Sequence, residues 1–172
     1  MIEILILYII YKREKTIYSI RKDIFEIFGA YTKPSIGTIY PALKRLLAAK
    51  AVSLNERISD GGKKSSYYLI TKTGIEYFKK LFFSSQSENP TLFYNQLQTR
   101  LGTMSLLSID ERKQFVFETL KRIEMYKFEI ENKLNDEFID LDYYQRQMME
   151  KSLKDLNDLS DFVKQLKVDH AG

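Results

Sequence analysis

From Ile2 to Tyr11 the chain is almost uniformly apolar, too uniform for a strand with one face in water and long enough for a helix buried on most sides. Lys12 to Lys15 breaks the run. Thr16 then stands as an N-cap ahead of Ile17, Ile20, Ile24 and Ile27 or Phe28, which share one helical face and end at Gly29 as a C-terminal cap. Pro34 and Ser35 announce a third helix, with Ile36, Ile39, Leu43, Leu46 and Leu47 on one stripe. The period then shortens. Val52 to Ile58 and Tyr67 to Ile70 are rich in β-formers and flank Ser59-Asp60-Gly61-Gly62-Lys63-Lys64-Ser65-Ser66, which predicts a hairpin with a basic tip. Thr71 or Thr73 caps a further helix through Ile75, Phe78, Leu81 and Phe82.

Ser84 to Pro90 is polar and ends in proline, so residues 84–90 read as a linker between a domain over 1–83 and a helical domain over 91–172. Leu92 to Leu101 is one helical pattern closed by Gly102. Asp110 caps a longer helix to about Asp136, with Val116, Leu120, Ile123, Ile130 and Leu134 as its main stripe. Phe115, Phe117, Tyr126 and Phe128 lie off that stripe, so this helix needs apolar partners on more than one side. The last helix, about Asp142 to Lys167, carries Met149, Leu153, Leu156, Leu159, Val163 and Leu166 at near-heptad spacing. The expected fold is mainly α with one small β-hairpin. The surplus apolar faces beyond residue 91 predict a homodimer formed through the C-terminal helices.

Charge sharpens the division. Residues 1–83 hold 15 Lys and Arg against 7 Asp and Glu, a net +8, whereas residues 84–172 hold 12 against 16, a net −4. A basic half beside an acidic one points the first at a polyanion. The chain has no cysteine, so disulfides, thiolate zinc sites and cysteine nucleophiles are excluded and the cytoplasm is the expected compartment. The opening apolar run is far shorter than the ~20 residues of a membrane span. The single histidine, His170, is the third residue from the end of the sequence, and the carboxylates of the second half are spread along helices. Gly61-Gly62-Lys63-Lys64-Ser65 lacks the spacing of a phosphate loop. No catalytic residue, cofactor or metal is expected.

Helix, helix, helix, hairpin, helix is the order of a winged helix-turn-helix, whose third helix enters the major groove while the hairpin reaches the backbone. On a wheel of ~100° per residue, the face opposite Ile39 holds Gly37, Thr38, Pro41, Lys44, Arg45 and Ala48. Small residues at its start let the backbone approach the duplex, and Lys44 and Arg45 reach phosphates or guanine. Tyr40 falls at the stripe's edge, with a hydroxyl for a phosphate. Lys63 and Lys64 match a wing along the phosphates. Pro41 lacks an N–H, which leaves two readings open, a helix starting near Gly37 or one bent locally.

The run Pro34-Ser35-Ile36-Gly37-Thr38-Ile39-Tyr40-Pro41-Ala42-Leu43-Lys44-Arg45-Leu46 closely resembles the recognition-helix signature of the PadR-like transcriptional regulators. Gly61 to Thr71, with Gly74, resembles the family's wing and following helix more loosely, and the similarity extends over roughly residues 2–80. Two departures stand out. No glycine precedes the tyrosine in Thr16-Ile17-Tyr18, and Lys50-Ala51-Val52 lacks the glycine that usually follows the third helix. The resemblance implies a homodimeric regulator, often a repressor, that reads a palindromic operator in double-stranded DNA with Ser35, Gly37, Thr38, Tyr40, Lys44, Arg45, Lys63 and Lys64. It also implies that a small-molecule effector is a conceivable partner. The rival expectation is a winged-helix protein-interaction module without DNA-binding activity.

Overall fold

The computed structural model of the chain describes residues 1–58, 64–84 and 89–170. The elements run α1 (Ile2–Tyr11), α2 (Ile17–Phe28), α3 (Ile36–Ala48), β1 (Val52–Ile58), β2 (Lys64–Ile70), α4 (Lys72–Phe82), α5 (Pro90–Thr103), a 3-10 turn (Met104–Leu106), α6 (Ile109–Asn135) and α7 (Tyr143–Lys164). They form two compact units, Met1–Leu106 and Leu107–Gly172.

The first unit is built around α1, in which Ile4, Leu5, Ile6, Leu7, Ile9 and Ile10 are all buried. A helix apolar on every side has no water face, and α1 accordingly meets α2, α3, α4, β2 and α5. Each such side chain favours folding by about 1.5–3 kcal/mol when removed from water. Ile20, Ile24 and Phe28 of α2 and Ile39, Ala42, Leu43 and Leu46 of α3 complete this core. The helix starts are fixed by side chains: Thr16 Oγ1 accepts from the Ser19 amide, and Ser35 Oγ from the Thr38 amide, both at 3.2 Å.

The hairpin pairs antiparallel from Val52↔Ile70 to Ile58↔Lys64. It is longer than β-propensity alone predicts, because Lys64, Ser65 and Ser66 extend the ladder by backbone bonds that their polar side chains do not prevent. Gly61, Gly62 and Lys63 lie outside the described residues. Lys15 adds a third-strand bridge, exchanging backbone bonds with Tyr68 at 2.8 and 3.0 Å.

Thr71, rather than Thr73, caps α4. Its hydroxyl accepts from the Gly74 amide at 3.0 Å and donates to the Lys50 carbonyl at 2.7 Å, and its amide donates to the Ala51 carbonyl at 3.1 Å. This knot ties the exit of α3 to the entry of α4. A Cβ at Gly74 would stand 2.0 Å from the Ala51 carbonyl oxygen. At the exit itself the Lys50 and Ala51 amides bond the Leu47 and Leu46 carbonyls, both at 2.9 Å, closing a Schellman motif whose left-handed residue is Lys50, at φ 55°. The glycine missing from the signature is therefore missing where the backbone favours one.

Several sequence expectations shift. Gly102 does not close α5 but lies inside it, where a Cβ would stand 2.5 Å from the Phe28 ring. Close packing, not a turn, explains that glycine. α5 packs along α1 and lies in the first unit. Its Arg100 is buried, with Nη donors on Gln96 Oε1 and the Ser84 carbonyl, both at 3.2 Å. Asn89 caps α5, while residues 85–88 of the expected linker lie outside the described residues.

In the second unit, α6 starts from Ser108 rather than Asp110, in a reciprocal capping box with Glu111. Asp142 and Gln145 do the same for α7. Contacts from Arg112 to the Val168 and His170 carbonyls, and from Ser160 to Glu124, set the two helices antiparallel. The buried line of α6 is Phe115, Thr119, Ile123 and Tyr126, rotated from the predicted stripe. Val116, Leu120, Ile130 and Leu134 are only half-buried, and Phe117, Phe128 and Phe138 are exposed.

Gly74→Ala is expected to destabilise the chain by about 3 kcal/mol, because the clash is with backbone that cannot rotate away. Lys50→Gly is expected to stabilise it by about 0.5–1 kcal/mol by relieving the left-handed position. Both are read as urea midpoints at constant slope.

Candidate nucleic-acid interface

The exposed face of α3 follows from its buried one. With Ile39, Ala42, Leu43 and Leu46 seated in the core, Gly37, Thr38, Tyr40, Pro41, Lys44, Arg45 and Ala48 are all left in solvent. The helix begins at Ile36 behind Ser35, one residue from the expected start near Gly37, and runs through Pro41 to Ala48. Pro41 has no N–H to give the Gly37 carbonyl four residues back, and that carbonyl sits on an exposed residue where water can serve it. Ser35 is first of all the cap, and its hydroxyl also lies 3.2 Å from that of Thr38. A Cβ at Gly37 would meet only Ser35 Oγ, at 3.5 Å. The fold has room for a side chain there, so packing does not require the bare position.

The cations of this face are held in place. Lys44 Nζ sits 4.7 Å from the centroid of the half-exposed Tyr40 ring, a cation–π contact one helical turn long. Arg45 donates through Nε to Glu3 Oε1 of α1 at 2.6 Å. On the hairpin, Lys64 pairs with Glu56 at 2.7 Å. Arg57 pairs with Glu14 and lies 4.9 Å from the Tyr67 ring centroid, and Asn55 donates to the same Glu14 at 3.4 Å. Lys63 lies outside the described residues. The Tyr68 phenol is pushed up from its ordinary pKa mainly by burial and secondarily by Tyr40.

Arg57 is not among the residues that the sequence singles out, and Tyr67 enters there only as part of the wing. Alternation along the hairpin carried the signal: Asn55 and Arg57 share one face of β1, and Tyr67 is the cross-strand partner of Asn55. Glu3 and Glu14 carried none, since their partners lie 42 and 43 residues away. The face thus presents a solvent-exposed, Ser35-capped helix N-terminus, a backbone-accessible glycine, hydroxyls and cations, the groups that meet phosphates and base edges. Among the described residues no group of three or more His, Cys, Asp or Glu could hold a metal ion, and no helix is long and apolar enough to cross a membrane.

Residues 6–80 match the transcriptional regulator PadR-like family. Among solved structures, a PadR family transcription regulator from Clostridium difficile shares 30% identity, covering 45% of this chain and 79% of that one, with a TM-score of 0.40. A PadR-like transcriptional regulator from Bacillus cereus shares 32% over 45% of this chain and 74% of its own, with a TM-score of 0.39. Bacillus subtilis PadR in complex with operator DNA shares 17% over 94% of this chain and 93% of its own, with a TM-score of 0.47. The same regulator is also known in complex with p-coumaric acid, at 19% identity over 95% and 94% of the two chains and a TM-score of 0.43. No curated protein matches the chain.

Gly37→Ala is expected to leave the fold intact, with stability unchanged or raised by up to about 1 kcal/mol from helix propensity. The same change is expected to weaken duplex binding, because the added methyl stands on the outward face. Denaturant melts and fluorescence anisotropy on one preparation check both halves.

Proposed function

The chain belongs to the PadR-like family of transcriptional regulators, and from that premise we propose that it is a repressor that binds a palindromic operator in the cytoplasm as a homodimer. Residues 1–83 form the DNA-binding part in this reading, and the helices beyond residue 90 carry dimerisation. The observation that carries it is the exposed face of α3, where a glycine that packing does not require stands beside Thr38, Lys44 and Arg45.

Each protomer inserts α3 into a major groove, with half-sites one helical turn or a multiple of it apart. Arg45 reads a guanine. Lys44, Tyr40, Thr38 and Ser35 meet phosphates at the groove's edge, and Lys63, Lys64 and Arg57 follow the flanking backbone. The exposed Phe117 and Phe128 and the half-buried stripe of α6 support a partner helix from a second copy.

The p-coumaric acid complex of Bacillus subtilis PadR supports a small effector here as well. An open groove of about 730 Å³ lined by Leu5, Tyr31, Pro34, Thr38, Leu92 and Gln96, among others, is its seat in this reading. Since Pro34 and Thr38 flank the start of α3, occupancy would bear directly on the reading helix.

The ion pairs at Arg45, Arg57 and Lys64 favour one second reading, a protein-interaction module whose cations are neutralised internally. The two readings diverge in salt. A DNA-binding face loses affinity steeply as salt rises, whereas the module does not.

The test is binding to a duplex that the protein selects from a randomised pool, against random duplex, across a salt series. Arg45→Ala is expected to weaken the selected duplex by about 1–3 kcal/mol and the random one less, whereas Lys63→Ala is expected to weaken both alike. Equal losses on the two duplexes for Arg45→Ala would reject a base-reading role. Absence of any selected sequence, with salt-insensitive binding, would reject the regulator.

A further inference from the structure

We propose that Glu3 is a positioning residue for base recognition, which holds the Arg45 guanidinium from behind so that its two Nη groups face the DNA. The inference rests on the base-reading role given to Arg45 above and deepens it.

Among the described residues, three carboxylates meet cations of this face, and Glu3 differs from the others. Glu56 pairs with Lys64 across one exposed hairpin, and Glu14 reaches Arg57 from the polar segment between α1 and α2. Glu3 stands on α1, the helix that the core surrounds, and its side chain is only 14% exposed, while that of Arg45 is 59% exposed. The anion is sheltered and the cation stands in the open. Both ends of the pair are carried by helices packed on one another, so the geometry does not depend on a loop.

The contact runs through Nε, at 2.6 Å. A guanidinium has five N–H donors in a rigid fork. Engaging Nε removes one and leaves the Nη end, the edge that forms a bidentate pair with guanine O6 and N7. A long side chain held in this way has already lost much of the rotamer freedom that it would otherwise lose on binding. The carboxylate has a second effect, since its charge repels phosphates indiscriminately and so opposes Arg45 wherever no guanine is in reach. Both effects separate the right sequence from the rest. Neither strengthens binding to arbitrary DNA.

The experiment compares wild type, Glu3→Gln, Arg45→Ala and the double variant in the full chain, on the selected and the random duplex at one salt concentration. Glu3→Gln is expected to narrow the ratio of the two affinities by about fivefold, with the random duplex bound as well as before or better. In the Arg45→Ala background the same change is expected to leave the ratio as it is, since there is no guanidinium to position. Thermal melting is the control for folding. An unchanged ratio in Glu3→Gln overturns the proposal, as do equal falls on both duplexes, which mark a structural role. Equal rises overturn it too, because Glu3 would then be only a competitor for the cation. A normal loss in Arg45→Ala beside an unchanged ratio in Glu3→Gln removes the role of Glu3 alone. Equal losses in Arg45→Ala remove the base-reading role and that of Glu3 with it.

Discussion

The absence of a water face on α1 is the constraint on which the first unit depends. A ten-residue helix with six buried aliphatic side chains folds only if other elements surround it, and five do. That requirement seats Ile39, Ala42, Leu43 and Leu46 of α3 and thereby decides which residues of α3 face outward. A rotation of α3 by one residue would carry charged side chains towards the interior, where an unpaired charge is strongly disfavoured. The outward set is thus a product of core packing, although none of its members belongs to the core.

Much of this was legible because it is local. The spacing of Ile20, Ile24 and Phe28 and of Ile39, Leu43 and Leu46, the caps at Thr16 and Ser35, and the change of period at Val52 are all read within a dozen residues. What escaped depends on distance or competition. Ser108 outcompetes Asp110 as a cap because Glu111 can return the bond, a reciprocity visible only when both candidates are tried. Gly102 reads as a terminator until Phe28 is brought against it. The buried line of α6 is chosen by α7 from several apolar faces, and the sequence of α6 alone ranks them differently. At the candidate interface, the outward positions of α3 were readable from its apolar stripe, whereas Arg57 required the strand register and Glu3 required the packing of α1 on α3.

The electrostatic picture changes accordingly. A count of charges makes residues 1–83 strongly basic. Yet Arg45, Arg57 and Lys64 each face a carboxylate, and Lys44 rests on an aromatic ring. These contacts moderate attraction to any polyanion and fix the directions in which the cations point. An interface of free lysines would bind more tightly and discriminate less.

Pro41 adds a mechanical asymmetry to α3. The bond that would join the Gly37 carbonyl to the residue one turn later is missing, so the first turn is fastened to the remainder by one strut fewer than in an uninterrupted helix. Beyond the proline, Ala42, Leu43 and Leu46 are clamped in the interior. The first turns keep one fully buried anchor, Ile39, whereas the stretch beyond the proline keeps three. A small displacement at Ser35 to Thr38 therefore strains fewer bonds than the same displacement further along the helix.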